Sequence, residues 1–385
     1  MSASSGASDR KRLLFVVTED WYFVSHRLPI ARAARDAGYE VFVATRLAEK
    51  ADIIAKEGFT PIGLERMRRS GRNPILELAS IAELVSLYRS YRPSIVHHVA
   101  MKPVVYGSIA ARLAGVGAVV NNVAGLGFVF SSKAAYAKLV RRLIGPLLRC
   151  ALRQPRALTI VQNRDDARFL ADDIGVAPDT IRLVKGSGVD LAKFSNSRRE
   201  SSPPIVLLAS RMIREKGVDD FVSAAAQLKK NNVAARFVLA GDPDPENPHS
   251  IPEAVLRQYH EDGIVEWWGH RDNIPEIIRE AAIVCLPTTY GEGIPKTLIE
   301  AAAGECPIVA YDVPGCREIV TDGESGVLVP AGDVCRLAQA IEELLANPEQ
   351  RRRMGARGRR LVEAEFSQEI IVAQTLAIYS ELLTQ

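Results

Sequence analysis

The chain has 385 residues, 47% of them hydrophobic and 25% charged, which is the composition of a soluble globular protein with two or three domains. Basic residues exceed acidic ones by only 49 − 46 = 3, so the overall charge gives no reason to expect nucleic acid as a partner. No run approaches the roughly 18 uninterrupted apolar residues of a membrane span, and residues 1–10 are polar and lack signal-peptide character. We therefore expect a disordered tail over 1–10 and a cytosolic protein whose five cysteines are reduced.

Apolar strands alternate with helical stretches through the first half of the chain. Leu13–Thr18 is a continuous apolar run of the kind buried in parallel sheets. A loop with Trp21 and Tyr22 is expected next, and then a helix over Ser25–Ala37 that stops at Gly38. Further predicted strands are Tyr39–Ala44, Phe59–Ile62, Ser94–His97, Ala118–Asn121, Leu158–Val161 and Ile181–Val184. This alternation predicts a doubly wound α/β domain.

The alternation restarts after a polar, proline-ended segment, Ser195–Pro204, which is predicted to link two domains. The later predicted strands are Ile205–Ala209, Arg236–Ala240, Ile264–Trp267, Ile283–Leu286 and Pro307–Ala310. The later predicted helices are Gly217–Lys229, Val334–Ala346, Glu349–Glu363 and Gln368–Leu383. We expect an N-terminal domain over 11–195, a linker over 196–204, a C-terminal domain over 205–366 and a final helical segment over 367–385.

Two glutamates bracket a glycine-rich turn and the start of a helix in Pro287–Pro307, PTTYGEGIPKTLIEAAAGECP. Pro295 can serve as the first helical residue, and Thr297–Ala303 continue as a helix. Such a turn offers unpaired N–H groups and the positive end of a helix to an anion such as a diphosphate. Glu292 on the turn and Glu300 in the helix add acceptors for hydroxyl groups. A sugar nucleotide carries both kinds of group.

The pattern Glu292-x7-Glu300, with a glycine and a proline inside it, resembles the nucleotide-sugar motif of retaining family 4 glycosyltransferases, which have the GT-B fold. The resemblance implies two doubly wound Rossmann-like domains that face each other across a cleft, with the last helix crossing back onto the first domain. It assigns Glu292 to the sugar hydroxyls and the reacting centre, Glu300 to the ribose, and the backbone of Ile294–Leu298 to the phosphates. The donor-binding residues that it implies are Arg271, Gly293, Ile294, Pro295, Lys296, Thr297, Leu298 and Glu300.

Two cations follow the strand that ends at Ala209. Arg211 and Lys216 are expected at the carboxyl edge of the sheet, where ligands of open α/β folds bind. Taken alone they would be ordinary solvated charges on a loop. They match, however, the R-x4-K pattern that grips the donor diphosphate in the family, so together with Glu292 they are the catalytic residues that the resemblance implies.

The resemblance also implies a mechanism without a protein nucleophile, in which the acceptor attacks from the front face. Arg211, Lys216 and the helix end would stabilise charge on the departing diphosphate, and no metal or other cofactor is needed for that. Asp242 and Asp244 in GDPDPE mimic a D-x-D metal motif, but a proline-containing loop is the simpler explanation.

The loop Trp268–Pro275 matches the family segment that receives the nucleotide base through backbone contacts around Arg271. This match favours uracil and hence a UDP-sugar donor. A plain turn in which Asp272 or Asn273 caps the next helix accounts for the same residues, and both readings can hold.

The first half is expected to bind the acceptor. Phe23–Ile30, FVSHRLPI, contains His26 and Arg27 where the family often has a glycine pair, and it resembles enzymes that extend lipid-linked bacterial glycans. His97, His98 and Lys102 are expected to follow a strand end near the acceptor, and Gly125 and Gly127 are expected in a glycine-containing loop after the next strand. Asn121–Gly125, NNVAG, lacks the catalytic histidine of many relatives, which leaves His26 as the nearest candidate base. A packing or capping role for His26 is equally open.

Two basic clusters in the first half indicate an anionic membrane surface as a partner. One contains Arg66, Arg68, Arg69 and Arg72, and the other is the acid-free, amphipathic stretch Lys133–Arg156. Each basic residue near anionic lipid contributes about 1 kcal/mol. A surface helix with a solvated face is the alternative of nearly equal weight.

The family resemblance, together with the basic clusters, implies a retaining GT-B glycosyltransferase peripherally attached to the cytoplasmic face of the inner membrane. It would move a hexose or N-acetylhexosamine from a UDP-sugar to a polyprenyl-diphosphate-linked saccharide in O-antigen, capsule or exopolysaccharide biosynthesis. The alternatives are a soluble sugar or metabolite as acceptor, and a non-catalytic sugar-nucleotide-binding partner, which the intact motif residues disfavour. A dehydrogenase is disfavoured because Thr18–Ser25 lacks glycine altogether.

Overall fold

The computed structural model describes residues 10–69, 73–125, 145–194, 198–289 and 291–384. The chain divides into two compact units, one built from the described residues up to Val184 together with those from Ile371 onward, the other from Lys185–Ile370. Each unit contains one parallel sheet. Within the described residues, no helix combines the length and the apolar character needed to cross a membrane.

The sheet of the first unit has seven parallel strands in the order β3-β2-β1-β4-β5-β6-β7. The strands are β1 (Arg12–Glu19), β2 (Glu40–Arg46), β3 (Thr60–Gly63), β4 (Ile95–Val99), β5 (Val119–Val123), β6 (Ala157–Val161) and β7 (Ile181–Leu183). The helices are α1 (Asp20–His26), α2 (Leu28–Asp36), α3 (Ala51–Lys56), α4 (Pro74–Tyr91), α5 (Met101–Ala114), α6 (145–152) and α7 (Arg164–Asp172). The central strands β4, β5 and β6 are buried along their whole length, as expected for a parallel sheet with both faces covered by helices.

The sheet of the second unit has six parallel strands in the order β10-β9-β8-β11-β12-β13. The strands are β8 (Ile205–Ala209), β9 (Arg236–Ala240), β10 (Glu266–Trp267), β11 (Ala281–Leu286), β12 (Ile308–Tyr311) and β13 (Gly326–Val329). The helices are α8 (Val218–Lys230), α9 (Glu253–Glu261), α10 (Ile274–Glu280), α11 (Lys296–Ala303), α12 (Pro314–Arg317), α13 (Val334–Ala346) and α14 (Pro348–Glu365). Both units are therefore Rossmann-like, and the predicted α/β class is confirmed.

The last helix, α15 (Gln368–Thr384), completes the core of the first unit. Ile371, Ile378, Tyr379 and Leu382 are buried there among residues of β1, β4 and α2. Arg156, the residue before β6, donates to the carbonyl of Leu382 at 2.7 Å. Residues from opposite ends of the chain thus share one core.

The predicted linker is bound to the second unit. The N–H of Arg199 donates to the carbonyl of Arg279 at 3.1 Å, and that of Ser201 donates to the carbonyl of Glu280 at 2.9 Å. Residues 185–194, predicted to end the first domain, also belong to the second unit: Val189 exchanges backbone hydrogen bonds with Phe366 and Gln368. The chain passes between the units at residues 184–185 and 370–371 instead.

The predicted loop around Trp21 and Tyr22 is helical, and the predicted helix over 25–37 is broken. Helix α1 starts at Asp20, directly after β1, and ends at His26, and α2 begins at Leu28. Arg27 between them has non-helical backbone angles. Pro29 explains the break, because a proline is compatible with the first turn of a helix but not with a helix interior.

His97 and His98 lie inside β4, not after it, and both are fully buried. His98 Nε2 is 2.9 Å from the hydroxyl of Tyr88, and its Nδ1 is 2.8 Å from Oδ1 of Asn121. A Cβ atom at Gly107 would lie 2.3 Å from His98 Nε2, so the ring fills a closed space. His98 is therefore a packing residue.

This burial predicts acid sensitivity. Burial lowers the pKa of His98 to about 4, so the unfolded chain, in which it is about 6.5, binds the proton first as the pH falls. The stability from neutral His98, about 3 kcal/mol, is complete above pH 6.5 and lost as the pH falls from 6.5 to about 4. When the pH is lowered from 7.5 to 5.0, the free energy of unfolding measured in urea should fall by about 2 kcal/mol more for the wild type than for His98→Gln. Equal losses would contradict the buried neutral ring.

Candidate functional site

The loops that follow the parallel strands of the second unit pack against one another at the carboxyl edge of the sheet. The N–H of Ser210, after β8, donates to the carbonyl of Ala240, and that of Gly241, after β9, donates to the carbonyl of Gly269, after β10. A Cβ atom at Gly241 would lie 1.8 Å from the carbonyl oxygen of Ser210. This edge is where open α/β sheets bind ligands.

Lys216 and Glu292 form an ion pair at this edge. Lys216 ends the 3₁₀ turn Arg214–Lys216 after β8, and its Nζ lies 2.5 Å from Oε1 of Glu292. The same carboxylate oxygen is 3.3 Å from the hydroxyl of Thr288. Lys216 is 8% exposed, and the pair is thus largely shielded from water. Two residues 76 positions apart in the chain, both predicted to be catalytic, are in direct contact.

Backbone contacts hold Lys216 and Glu292 next to each other. The carbonyl of Glu215 accepts hydrogen bonds from the hydroxyl of Thr288 at 3.0 Å and from the N–H of Thr289 at 2.9 Å. Gly217 follows with φ of +77°, and a Cβ atom there would lie 2.0 Å from the carbonyl oxygen of Pro287. Only glycine permits both this conformation and this approach. The turn with Lys216 and the segment leading to Glu292 are thereby fixed to each other.

A second glycine supports the Glu292 turn from behind. Gly315 lies in α12, and a Cβ atom on it would be 2.1 Å from the carbonyl oxygen of Gly293 and 3.1 Å from that of Glu292. Sequence reasoning did not identify this contact. A glycine in a short helix has no distinctive pattern until its neighbour in space is known.

Helix α11 starts at Lys296, one residue later than Pro295, which caps the helix instead of opening it. The hydroxyl of Thr297 donates to the carbonyl of Ala209 at 2.9 Å, which ties the first turn of α11 to the end of β8. Leu298 is fully buried, and its N–H donates to the carbonyl of Pro295 at 3.0 Å. The phosphate contact predicted for Leu298 is therefore occupied by the chain itself.

Glu300 lies one turn further along α11. Its carboxylate is 3.5 Å from Nζ of Lys296, and its side chain is 18% exposed. Burial raises the pKa of Glu300, while the charges of Lys296 and Lys193 oppose that rise. A largely buried carboxylate beside Lys296 is an acceptor suited to a hydroxyl group.

The guanidinium of Arg211 bonds to the carboxylate of Asp244, in the loop after β9. The N–H of Asp244 donates to the hydroxyl of Ser250 at 2.8 Å, which fixes the partner. Sequence reasoning considered Asp244 only as a metal ligand and did not predict this pairing. Among the described residues there is no group of three potential metal-ligating side chains.

Arg271 is exposed, with its guanidinium carbon 5.8 Å from the centre of the Trp268 ring. The N–H of Trp268 donates to the carbonyl of Leu239, so the loop is anchored to β9. Asn273 precedes α10, but its side chain makes no capping hydrogen bond. A side-chain cap from Asn273 is thus not what shapes this loop.

The predicted acceptor residues lie in the first unit. His26 ends α1 and stacks on Tyr22, with ring centres 4.2 Å apart and planes 4° apart. Lys102 binds Glu77 at 2.8 Å and donates to the carbonyl of Arg68 at 2.6 Å. Arg27 is 1% exposed. Gly125 has a φ of +105°, and Gly127 lies outside the described residues.

Comparison with known protein families gives a match for each half of the chain. Residues 12–163 match a family described as glycosyl transferase 4-like, and residues 191–361 match one described as glycosyl transferases group 1. Together the two matches cover most of both units.

Three similar proteins span nearly the whole chain. The N,N'-diacetylbacillosaminyl-diphospho-undecaprenol alpha-1,3-N-acetylgalactosaminyltransferase of Campylobacter jejuni is 27% identical over 93% of this chain and 95% of its own. Sucrose-phosphate synthase from Thermosynechococcus elongatus superposes with a TM-score of 0.79 at 21% identity, covering 97% of this chain and 100% of its own. Anabaena HepE, solved in complex with UDP-glucose, gives 0.74 at 18% identity, with coverages of 97% and 100%.

Proposed function

Because the chain belongs to the glycosyltransferases with the GT-B fold, we propose that it moves a hexose or N-acetylhexosamine from a UDP-sugar to a polyprenyl-diphosphate-linked saccharide. The observation that carries this proposal is the buried Lys216–Glu292 pair beside the start of α11, at the ligand-binding edge of the second sheet. The name of the Campylobacter jejuni relative describes transfer to a diphospho-undecaprenol-linked sugar, which supports the acceptor class. The HepE complex supports the donor class.

The reaction breaks the bond between the anomeric carbon of the sugar and the diphosphate oxygen, and forms a bond from that carbon to an acceptor hydroxyl. The proton of the hydroxyl passes to the departing diphosphate, which leaves as UDP. In the proposed site, Lys216 and Arg211 stabilise the charge that develops on that group, and Glu292 binds sugar hydroxyls. A front-face mechanism of this kind retains the anomeric configuration and requires no protein nucleophile.

Lys216 and Arg211 supply the charge stabilisation that many transferases obtain from a metal ion. We therefore propose catalysis without a bound metal. Transfer should persist within about twofold in excess EDTA. A loss of activity that Mg²⁺ or Mn²⁺ restores would overturn this part of the proposal.

The function is tested with a panel of labelled UDP-sugars, bacterial membranes as the acceptor source, and extraction of lipid into organic solvent. Wild-type protein should carry label from one donor into the lipid fraction, and Glu292→Ala should not. Label in a water-soluble product instead would favour the second candidate, transfer to a soluble acceptor, which the name of sucrose-phosphate synthase suggests. UDP binding without transfer from any donor would favour a non-catalytic binding partner in a biosynthetic complex.

We also propose peripheral attachment to the anionic membrane surface that would carry such an acceptor, and the first turn of α4 provides the contact surface. Ile75, Leu76 and Leu78 are 75%, 48% and 68% exposed, and the exposed side chains of Arg66 and Arg68 precede them. Apolar side chains beside arginines suit an interface of acyl chains and anionic headgroups. We call these five residues the α4 surface.

The described part of the second basic cluster is less suited to lipid. Arg149 and Arg153 donate to the carbonyls of Ile174 and Gly175, and Arg156 donates to that of Leu382. These guanidinium groups are engaged in the fold.

Removing the apolar part of the α4 surface should weaken membrane binding. We expect Ile75→Ser/Leu78→Ser to lower co-sedimentation with phosphatidylglycerol-containing vesicles by about tenfold, because two large side chains no longer insert. Leu113→Ser, at the end of α5 with a 58% exposed side chain, is the matched control and should bind like wild type. Wild-type protein that fails to co-sediment at low salt would contradict the proposal.

A further inference from the structure

The corner between α1 and α2 holds a cation that no described residue neutralises. Arg27 is 1% exposed, and its Nε and Nη2 atoms are buried without a hydrogen-bond partner in the described part of the chain. A guanidinium stays protonated at any physiological pH, so it cannot escape the cost of burial by losing its charge. An unpaired buried charge is strongly unfavourable, which indicates that a partner is missing.

Arg351 shows how this chain satisfies a buried arginine that has a structural role. It is 4% exposed, and its Nη1 donates to the carbonyls of Leu344 at 2.7 Å and Leu345 at 2.8 Å. Its Nη2 donates to the carboxylate of Glu200 at 2.7 Å. Arg27 differs from Arg351, since its Nε and Nη2 have no partner among the described residues.

A second buried donor, His97, lies within the range of the Arg27 charge. His97 Nδ1 is 2.6 Å from the hydroxyl of Tyr379, and His97 Nε2 is buried with no partner among the described residues. When Tyr379 donates to Nδ1, the proton of the neutral ring is on Nε2 and is available to an acceptor. Burial lowers the pKa of His97 and the charge of Arg27 lowers it further, so the ring is neutral and lies within the range of the Arg27 charge.

The backbone adds a third favourable feature. Arg27 is the residue that precedes the first turn of α2, a helix of nine residues. The positive end of that helix favours negative charge at the same corner.

We propose that Arg27, with His97 beside it, forms an oxyanion site in the first unit that takes a phosphate group. The planar fork of a guanidinium matches phosphate oxygens in a bidentate contact. The oxyanion chemistry rests on Arg27 and His97 themselves. That the phosphate belongs to the diphosphate of the lipid-linked acceptor, and not to free phosphate, rests on the proposed function.

The first test needs no ligand. Arg27→Met removes an unpaired buried charge and keeps an apolar side chain, so the ligand-free variant should melt at the same temperature as wild type or higher. Arg351→Met, the matched control, removes a fully paired buried arginine and should melt clearly lower. If Arg27→Met lowers the melting temperature as much as Arg351→Met does, Arg27 is a structural residue and the proposal is wrong.

The second test adds farnesyl diphosphate or inorganic phosphate, with saturating UDP present to occupy the other unit. Farnesyl diphosphate should raise the melting temperature of wild type, and its apparent affinity should fall roughly 10- to 100-fold in Arg27→Met, because a charge-assisted pair is lost. Arg27→Lys keeps the charge but not the planar guanidinium, so its apparent affinity should lie between those of the wild type and Arg27→Met. Stabilisation by inorganic phosphate alone would retain the oxyanion site and overturn the acceptor assignment. Equal stabilisation of wild type and Arg27→Met would overturn both.

Kinetics separate this inference from the proposed function. In an active transferase, Arg27→Met should raise KM for the lipid-linked acceptor roughly 10- to 100-fold and leave KM for the donor unchanged. An unchanged acceptor KM would overturn the acceptor assignment. Conversely, Arg27-dependent stabilisation by farnesyl diphosphate would support the site even if no transfer were found from any UDP-sugar.

Discussion

Replacing Lys216 by methionine is expected to lower the rate of sugar transfer by roughly 10²- to 10³-fold, the cost of removing one preorganised donor from a developing anion. Lys216 is 8% exposed and lies 2.5 Å from Glu292, so its charge acts where water screens little. The effect should appear in kcat under saturating donor. Lys230→Met, a change of the same chemistry at an exposed position in α8, is the matched control and should leave kcat unchanged.

A double variant distinguishes a catalytic pair from two independent residues. Because Lys216 and Glu292 touch, Lys216→Met/Glu292→Gln should lose much less than the product of the two single losses. Full multiplication of the two losses would show that the contact has no role in catalysis. Circular dichroism and UDP affinity should establish that each variant remains folded.

Gly217→Ala is expected to damage both stability and activity, with a loss of about 3 kcal/mol in the free energy of unfolding of its unit. The new methyl group would meet the carbonyl oxygen of Pro287 at 2.0 Å, and φ is +77°. Relief requires movement of the segment that leads to Glu292, so we expect transfer to fall by at least about tenfold as well.

Gly332→Ala separates the cost of the left-handed backbone from the cost of the contact with Pro287. Gly332 has a similar φ of +83°, but a Cβ atom there would meet nothing within 4 Å. It should therefore show only the cost of the left-handed backbone, about 1 kcal/mol in urea unfolding, with normal transfer. If the two variants lose equal stability, the contact with Pro287 is not what requires glycine at position 217.

The strands could be predicted to within a few residues because parallel sheets buried on both faces need continuous apolar runs. Gly326–Val329 was missed, since its three apolar residues stand between Gly326 and Pro330, and both of these favour turns. A single helix was predicted over 25–37, but Pro29 lies in the first turn of a second helix, α2. A proline is tolerated in a first turn, so it marks where a new helix starts.

The site was predictable only where a motif is local. The glutamate turn and the two cations could be placed at one sheet edge, because carboxyl ends of parallel strands meet there. The Arg211–Asp244 pair and the approach of Gly315 to Gly293 depend on how loops after different strands fold against each other. The spacing of residues in the sequence does not show how those loops fold. For the same reason it does not show that buried atoms of Arg27 lack a partner among the described residues.

The place of α15 in the core of the first unit affects the order in which the chain can fold during synthesis. Lys185–Ile370 is continuous, so the second unit has all its residues before translation ends. The first unit has made its seven strands by residue 183 but lacks Ile371, Ile378, Tyr379 and Leu382. Another 371 − 184 = 187 residues must be added before the first of these four is made, which takes about 10–40 s at roughly 5–20 residues per second. We therefore expect the nascent first unit to expose an unfinished apolar surface for that interval, and this surface is a binding site for a chaperone.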